Sequence, residues 1–422
     1  MPTGERGNRL GMKANSHMVA LVFLIFFVIA LLTNILGPIV PDIIDSFHLT
    51  LTAAALLPFS FFLAYGVMSI PAGMLVEVYR EKAVILAAFL IAFFGSLTFA
   101  LSPHYRMAIG SLFLIGVGMA ALQVAINPLL RVVGGEENFA FNSATAQLIF
   151  GMASFLSPQI YSYLVSGIGG NVSPQKPLLR LLSELVPAGM PWVSLYWIFT
   201  AVTFLMIIII AAVKFPVVRR TAEERAGTWE SHRRLLGKPV VYLYFFSIFA
   251  YVGCEQGTSN WISKFLSYYH RYDPRTTGAD AVSWFWGLLT AGCLLGMLLL
   301  KIFDSRRVLI AFSFASLICL TAALFGSAPV SLFAFPLVGL AASVMWPILI
   351  SLALNSVEEL HGSFSGILCT AIIGGAVVPL IIGRLGDWFG LRTGLMFLYI
   401  TFGWVLSVGF WAKPIIRNKT IG

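Results

Sequence analysis

Long apolar runs, separated by short charged or glycine- and proline-bearing segments, recur along the whole chain, and their length dictates the first inference. A bilayer core takes about 20 apolar residues per spanning helix. Stretches such as Met18 to Leu36 and Tyr196 to Val213 have that length, without the apolar/polar alternation of a membrane-spanning β-strand. The pattern predicts twelve helical spans, near 18–41, 51–75, 83–102, 107–133, 142–166, 191–213, 239–264, 281–303, 306–325, 330–354, 363–383 and 394–412. The first run is too long for a signal-peptide core and no small-residue cleavage site follows it, so it reads as a retained helix.

The longest charged stretch, Lys214 to Lys238, separates six spans from six. It predicts an N-terminal six-helix bundle over 17–214, a cytoplasmic linker over 215–238 and a C-terminal six-helix bundle over 239–413. An internal repeat supports this division: Pro128 and Pro158 are echoed by Pro347 and Pro379 at offsets of 219 and 221, and Asn34 and Glu255 also stand 221 apart. The fold class expected is an all-α membrane protein, twelve transmembrane helices in two pseudo-symmetric bundles.

Composition sharpens this picture. With 59% hydrophobic and 11% charged residues, a soluble fold of 422 residues would have too little polar material to cover its surface. The net charge of +9 does not indicate nucleic acid, because the basic residues are scattered through short loops without interleaved aromatics. Membrane topology accounts for them better. With the N-terminus inside, inner segments hold 19 Lys and Arg and outer loops 8, the linker supplying much of the excess, so both termini are expected to be cytoplasmic, in a bacterial inner membrane.

Several chemistries find no support. Cys254, Cys293, Cys319 and Cys369 lie in apolar spans without CxxC spacing, and His17, His48, His104, His232, His270 and His361 lie at span ends or in loops. Neither a disulfide framework nor a metal site is indicated, and no P-loop exists for an ATP-driven pump. No cofactor is expected. The absence of a deep Arg or Lys argues against phosphate or dicarboxylate substrates, which need a fixed positive partner.

Of the 18 acidic residues, all but one fall in loops or within a turn or two of a span end; the exception is Glu255. A carboxylate inside a membrane costs roughly 2.5 to 3.5 kcal/mol on insertion scales, and no basic side chain is placed deep in a span to offset it. A bound proton, a sodium ion or hydrogen bonds from a wet cavity would each do so. The first two make Glu255 a coupling-ion site; the third makes it a structural or purely substrate-binding group.

The surrounding run Gly253-Cys254-Glu255-Gln256-Gly257-Thr258-Ser259-Asn260-Trp261 interrupts an apolar helix with glycines and with donors and acceptors on more than one face. Local unwinding and a cavity lining are expected there, against the alternative of close helix packing with interhelical bonds. In span four, Gln123 and Asn127 are i and i+4, and Pro128 leaves the carbonyl of Val124 without its helical donor. Two amides and a carbonyl suit sugar hydroxyls without adding a second intramembrane charge. Asn34, Asn142 and Gln147 are further candidates for substrate or for neighbouring helices. Trp261 and Trp346 offer flat apolar faces for a sugar ring, whereas Trp192, Trp388, Trp404 and Trp411 read as interface or packing residues.

These residues carry a resemblance. Gly116-Val117-Gly118 followed by Leu122-Gln123-Val124-Ala125-Ile126-Asn127-Pro128 resembles the fourth-helix motif of the fucose/glucose/galactose symporter family, within the major facilitator superfamily. Tyr251-Val252-Gly253-Cys254-Glu255 resembles the seventh-helix motif, and Gly374-Gly375 with Pro379 and Gly383 the eleventh. The resemblance implies alternating access of two halves around a midplane site and import of a hexose. The sequence departs from the fucose branch at two places: Gln123 stands where that branch has an acid, and its helix-one acid matches Gly37. Of the loop motif after helix two, Gly73, Glu77 and Lys82 fit but Val78, Arg80 and Glu81 do not; Glu77 reads as an inter-helix latch.

The expectation is a symporter of a small neutral polar solute such as a monosaccharide, with Glu255 as the group sensitive to a proton or sodium ion. Asn34, Gln123, Asn127, Asn142, Gln147, Gln256, Asn260, Trp261 and Trp346 join Glu255 as its binding residues. A uniporter and an efflux carrier of amphipathic compounds, the latter permitted by 35 Phe, are the alternatives. An enzyme would need a second catalytic group beside Glu255, and a sensor an appended soluble domain; neither is visible. Asn171-Val172-Ser173 fits a glycosylation sequon.

Overall fold

A computed structural model describes residues 16–135, 139–169, 176–216, 229–357 and 360–415. The sequon at Asn171 and the middle of the linker lie outside these residues, as does the side chain of Glu77. The described chain is helical throughout its spans, which run Ser16–Phe47, Leu51–Val76, Val78–Leu101, Tyr105–Gly134, Phe141–Ile168, Pro191–Ala212, Pro274–Ile302, Ser305–Phe325, Ala328–Leu354, Ser363–Phe389 and Leu391–Trp411. These eleven are long and apolar enough to cross a membrane on length and composition. The twelfth, seventh in chain order, is built of two helices, Pro239–Ser259 and Ile262–His270. Its polar run from Gly253 to Trp261 is what makes it less apolar than the rest. Within the stretch expected to link the halves, Trp229–Leu236 is a short helix.

Several spans run further than hydropathy alone predicts, and the added turns are charged. Span one continues from 41 to Phe47 through Asp42 and Asp45, and span eleven from 383 to Phe389 through Arg384 and Asp387. These carboxylates are accommodated because each meets a partner in the opposite half, as described below. Spans two and three join without a loop at Arg80, whose φ of 66° and ψ of 164° turn the chain in a single residue. A left-handed φ is costly for a residue with a side chain. Close by, the ammonium of Lys82 donates to the carbonyl oxygens of Ala211 and Val213 at 2.9 and 2.8 Å. It thus places a cation on the carbonyls ending span six, where the helix dipole favours one.

The two halves pack by matching contacts. In the first, Gly116 of span four lies so close to span two that a Cβ would overlap the carbonyl oxygen of Phe61. In the second, Gly339 of span ten meets the carbonyl oxygen of Phe285 in span eight the same way. Only glycine allows two backbones this near. Large apolar side chains such as Phe94, Ile318, Phe333, Ile400 and Phe410 remain exposed around the circumference, as a lipid-facing surface requires.

Spans one, seven and ten break where the halves face one another, and span eleven tightens to a 3-10 turn at Ala371–Ile373. Span one is interrupted at Asn34 and Ile35, span seven at Asn260 and Trp261, and span ten at Ser343 and Val344. A break orphans backbone groups, and nearby hydroxyls and thiols take them up. Ser157 Oγ donates to the carbonyl of Leu31 at 3.0 Å, Ser343 Oγ to that of Leu340 at 2.7 Å, and Cys293 Sγ to that of Ser343 at 3.3 Å. Irregular backbone at membrane depth is tolerated where it is buried in protein or lines a cavity, and here it borders one.

Candidate functional site

A cavity of about 540 Å³ lies between the halves, within the range of small-molecule pockets. The N-terminal half contributes the side chains of Asn34, Gln123 and Gln147, and the C-terminal half contributes Glu255, Gln256 and Trp346. Six of the residues singled out in the sequence therefore meet on one wall system. Tyr65, Tyr251, Trp286, Thr290 and Ser351 are among its other polar lining residues, and none of the described lining residues is Lys, Arg or His.

Glu255 is the only carboxylate among these lining residues. Tyr251, one turn earlier, donates its hydroxyl to Oε2 at 2.6 Å, and the Gln256 amide donates to Oε1 at 3.2 Å. The first is a short, charge-assisted bond for an ionised carboxylate. Its i to i+4 spacing was readable in the sequence once the phenol was considered as a partner. Tyr251 also packs against Trp346, ring centroids 6.0 Å apart, joining spans seven and ten beside the carboxylate. Across the cavity, Asn34 Nδ2 donates to Ser154 Oγ at 2.7 Å, so its amide braces span one on span five at the break.

Four predicted residues stand elsewhere. Asn127 is exposed one turn beyond Gln123 and donates to that residue's carbonyl at 3.2 Å, so its amide turns back along its own helix. Asn142 is buried against Gly134 and donates to its carbonyl at 3.4 Å, tying spans four and five. Asn260 and Trp261 occupy the span-seven break itself, which carries them off the cavity wall; they are 3% and 1% exposed. Asn260 Nδ2, Trp261 Nε1 and the neighbouring Thr258 Oγ1 are buried without a hydrogen-bond partner. Trp286, absent from the sequence reading, lines the cavity with its own Nε1 buried and unpartnered.

On the face remote from the chain ends the halves are drawn together by charge. Asp42, within two turns of the end of span one, is nevertheless 4% exposed. Its Oδ1 accepts from Arg275 Nε and Nη2, both at 2.9 Å, and its Oδ2 accepts from the Tyr161 hydroxyl at 2.5 Å. Asp45 lies 4.0 Å from Lys264. Asp387 of span eleven accepts from the backbone N–H of Leu51 and of Thr52, each at 2.8 Å, and from the Thr52 hydroxyl, capping span two from the other half. Gln159 of span five correspondingly donates to Asp280 of span eight at 2.7 Å. Gly37 lies so near the Ser259 carbonyl that no side chain fits there in this arrangement.

Twelve spans in two repeating halves, enclosing between broken helices a largely apolar cavity with a few polar side chains, define a membrane transporter rather than an enzyme. The chain belongs to the major facilitator superfamily, whose family model matches residues 22–372. It is 28% identical over 400 residues, 92% of each chain, to a glucose/galactose transporter of Brucella abortus. To the L-fucose-proton symporter of Escherichia coli it is 25% identical over 400 residues, 90% of this chain and 89% of that one. These relatives fall in the branch to which the fourth-, seventh- and eleventh-span motifs pointed. Among solved structures, the Escherichia coli fucose:proton symporter superposes with a TM-score of 0.67 at 20% identity, over 95% of this chain and 100% of that one. An inward-facing, occupied bacterial homologue of the lysosomal transporter Spinster gives 0.73 at 14% identity, over 94% and 97%. Both likenesses establish the fold.

Proposed function

We propose that this protein carries a neutral hexose across a bacterial inner membrane by rocking its two halves, 17–214 and 239–413, around the central cavity, and that Glu255 binds the proton or sodium ion that couples transport to a gradient. The observation that carries this reading is the composition of the cavity wall. Three amides from one half face a single carboxylate, one amide and two tryptophans from the other, with no basic side chain among the described lining residues. Amides donate and accept, matching hydroxyls, and an indole face stacks on a sugar's C–H face. The names of the relatives, glucose/galactose transporter and L-fucose-proton symporter, favour the same substrate class. The excess of basic residues in the linker and termini favours cytoplasmic chain ends.

Reconstituted into proteoliposomes, the protein is expected to exchange labelled glucose, galactose or fucose and to accumulate it under an imposed proton or sodium gradient. Glu255→Gln is expected to exchange without accumulating. Absence of both exchange and uptake by the wild-type protein for every hexose in either gradient would overturn the sugar assignment. A uniporter is the second reading, favoured by the bonds from Tyr251 and Gln256, which stabilise the carboxylate without an ion; exchange with no accumulation by the wild-type protein would select it.

A further inference from the structure

Span eight, Pro274–Ile302, turns two faces to two different spaces. Trp286 and Thr290 line the central cavity, whereas Trp284 and Leu288, on the other side of the helix, line a separate groove of about 500 Å³. Span ten forms the facing wall of this groove with Leu332, Phe333, Pro336 and Leu337, so both walls belong to the second half. Phe333 is 69% exposed and Trp284 54%, which puts the mouth of the groove on the circumference, where lipid surrounds the protein. A convex apolar surface is wetted by passing lipid tails, but a concavity of this volume is large enough to hold a substantial part of one small molecule.

The groove is apolar along its length and acidic at one end. Asp280, near the start of span eight on the face remote from the chain ends, is the only charged group among the described lining residues, and Thr277 stands one turn before it. Eight residues separate Asp280 from Leu288, about 12 Å at 1.5 Å per residue, so a polar end and an apolar stem are well apart. The carboxylate is exposed; its Oδ1 accepts from Gln159 Nε2 at 2.7 Å, and its Oδ2 has no hydrogen-bond or ion-pair partner among the described residues. A carboxylate at the edge of a lipid phase favours a cation beside it, and no Lys, Arg or His among the described residues lines the groove to supply one. An anionic headgroup is repelled by Asp280. A quaternary ammonium brings charge but no N–H, whereas a primary ammonium brings three donors.

We propose that the groove between spans eight and ten is a binding site for a phospholipid with a primary-ammonium headgroup, the ammonium bonded to Asp280 and one acyl chain lying between Trp284 and Leu288 on one side and Phe333 and Leu337 on the other. Charge complementarity selects the headgroup, and the apolar concavity selects a lipid over a soluble amine. The bound chain backs the same helix that presents Trp286 and Thr290 to the central cavity. This inference depends on neither the transported solute nor the coupling ion, and its test uses neither.

The full chain, with the photo-crosslinker p-benzoylphenylalanine in place of Phe333, is placed in lipid nanodiscs holding equal amounts of phosphatidylethanolamine and phosphatidylcholine with the same acyl chains. Adducts formed on illumination are counted by mass spectrometry. The ethanolamine lipid is expected to exceed the choline lipid among them by about threefold or more, the scale of an exposed ion pair. Replacing it by its mono- and dimethylated forms is expected to lower the excess stepwise, a readout that needs no further substitution in the protein. Asp280→Asn is expected to return the ratio to that of the bilayer, and Asp280→Glu to keep the preference. Asp45→Asn, which removes another exposed acid, is expected to leave it unchanged. Equal adduct counts with Asp280 in place would overturn the proposal, as would an excess that survives Asp280→Asn or is untouched by methylation. Adducts to a second copy of the chain instead of lipid would overturn it too, because protein would then cover the groove.

Discussion

Gly116 meets the Phe61 carbonyl in the first half and Gly339 meets the Phe285 carbonyl in the second, yet the walls these helices show to the cavity are chemically unlike. The N-terminal half presents neutral amides, Asn34, Gln123 and Gln147; the C-terminal half presents the carboxylate of Glu255, the amide of Gln256 and the indoles of Trp286 and Trp346. Backbone approach is fixed by helix geometry, so a packing glycine is required in both halves. A side chain pointing into a wet cavity answers only to what occupies the cavity, and is free to differ. On the proposed reading the division would separate roles, amides of the first half meeting hydroxyls and the second half supplying the one charge of the lining.

Substitutions in the two walls break that comparison in different ways. Glu255→Gln should have the largest effect, abolishing accumulation in gradient-driven uptake while counterflow persists. If accumulation survives, the charge of the second half is not the coupling group. Tyr251→Phe removes one charge-assisted hydrogen bond that stabilises the cation-free carboxylate, worth about 1.5–3 kcal/mol, and should let the cation bind more tightly, lowering the half-saturating cation concentration for uptake by about tenfold or more. Gln123→Leu and Gln147→Leu should raise KM for the transported sugar by about tenfold each with accumulation ratios retained, on loss of roughly one hydrogen bond. Asn127→Ala and Asn142→Ala, whose amides bond to backbone carbonyls of their own half, should change KM by less than about threefold. The packing glycines sharpen the comparison from its symmetric side: Gly116→Ala and Gly339→Ala should each destabilise the protein by about 1–3 kcal/mol, read as similar losses of Tm.

Much of the fold was legible because the hydrophobic period and length of a spanning helix are local properties. The twelve spans, the two halves and the solitary place of Glu255 follow from counting along the chain. The polar run from Gly253 to Trp261 also announced the break in span seven. What the run could not reveal was direction: the interruption at Asn260 and Trp261 takes those side chains off the cavity wall, while Glu255 and Gln256, on the unbroken helix before it, keep the cavity. Asn127 and Asn142 satisfy backbone carbonyls nearby, a competition that spacing alone does not decide. Asp42 was hidden for a different reason. Its cation is 233 residues away, and a carboxylate near a span end looks solvated until the partner half is docked on it.

The matched glycine contacts bear on the molecule's ancestry. A gene encoding six spans, once doubled, would have delivered Gly116 and Gly339 together as copies of one codon. Such an ancestor, pairing with a second copy of itself, would have shown its central chamber two identical walls. A single Glu255 opposite Gln123 and Asn34 is impossible in that dimer, because any acid would have appeared twice. On such an ancestry the one-sided charge of the present carrier would date from after the duplication, when the copies could drift apart and one of them came to hold the carboxylate alone.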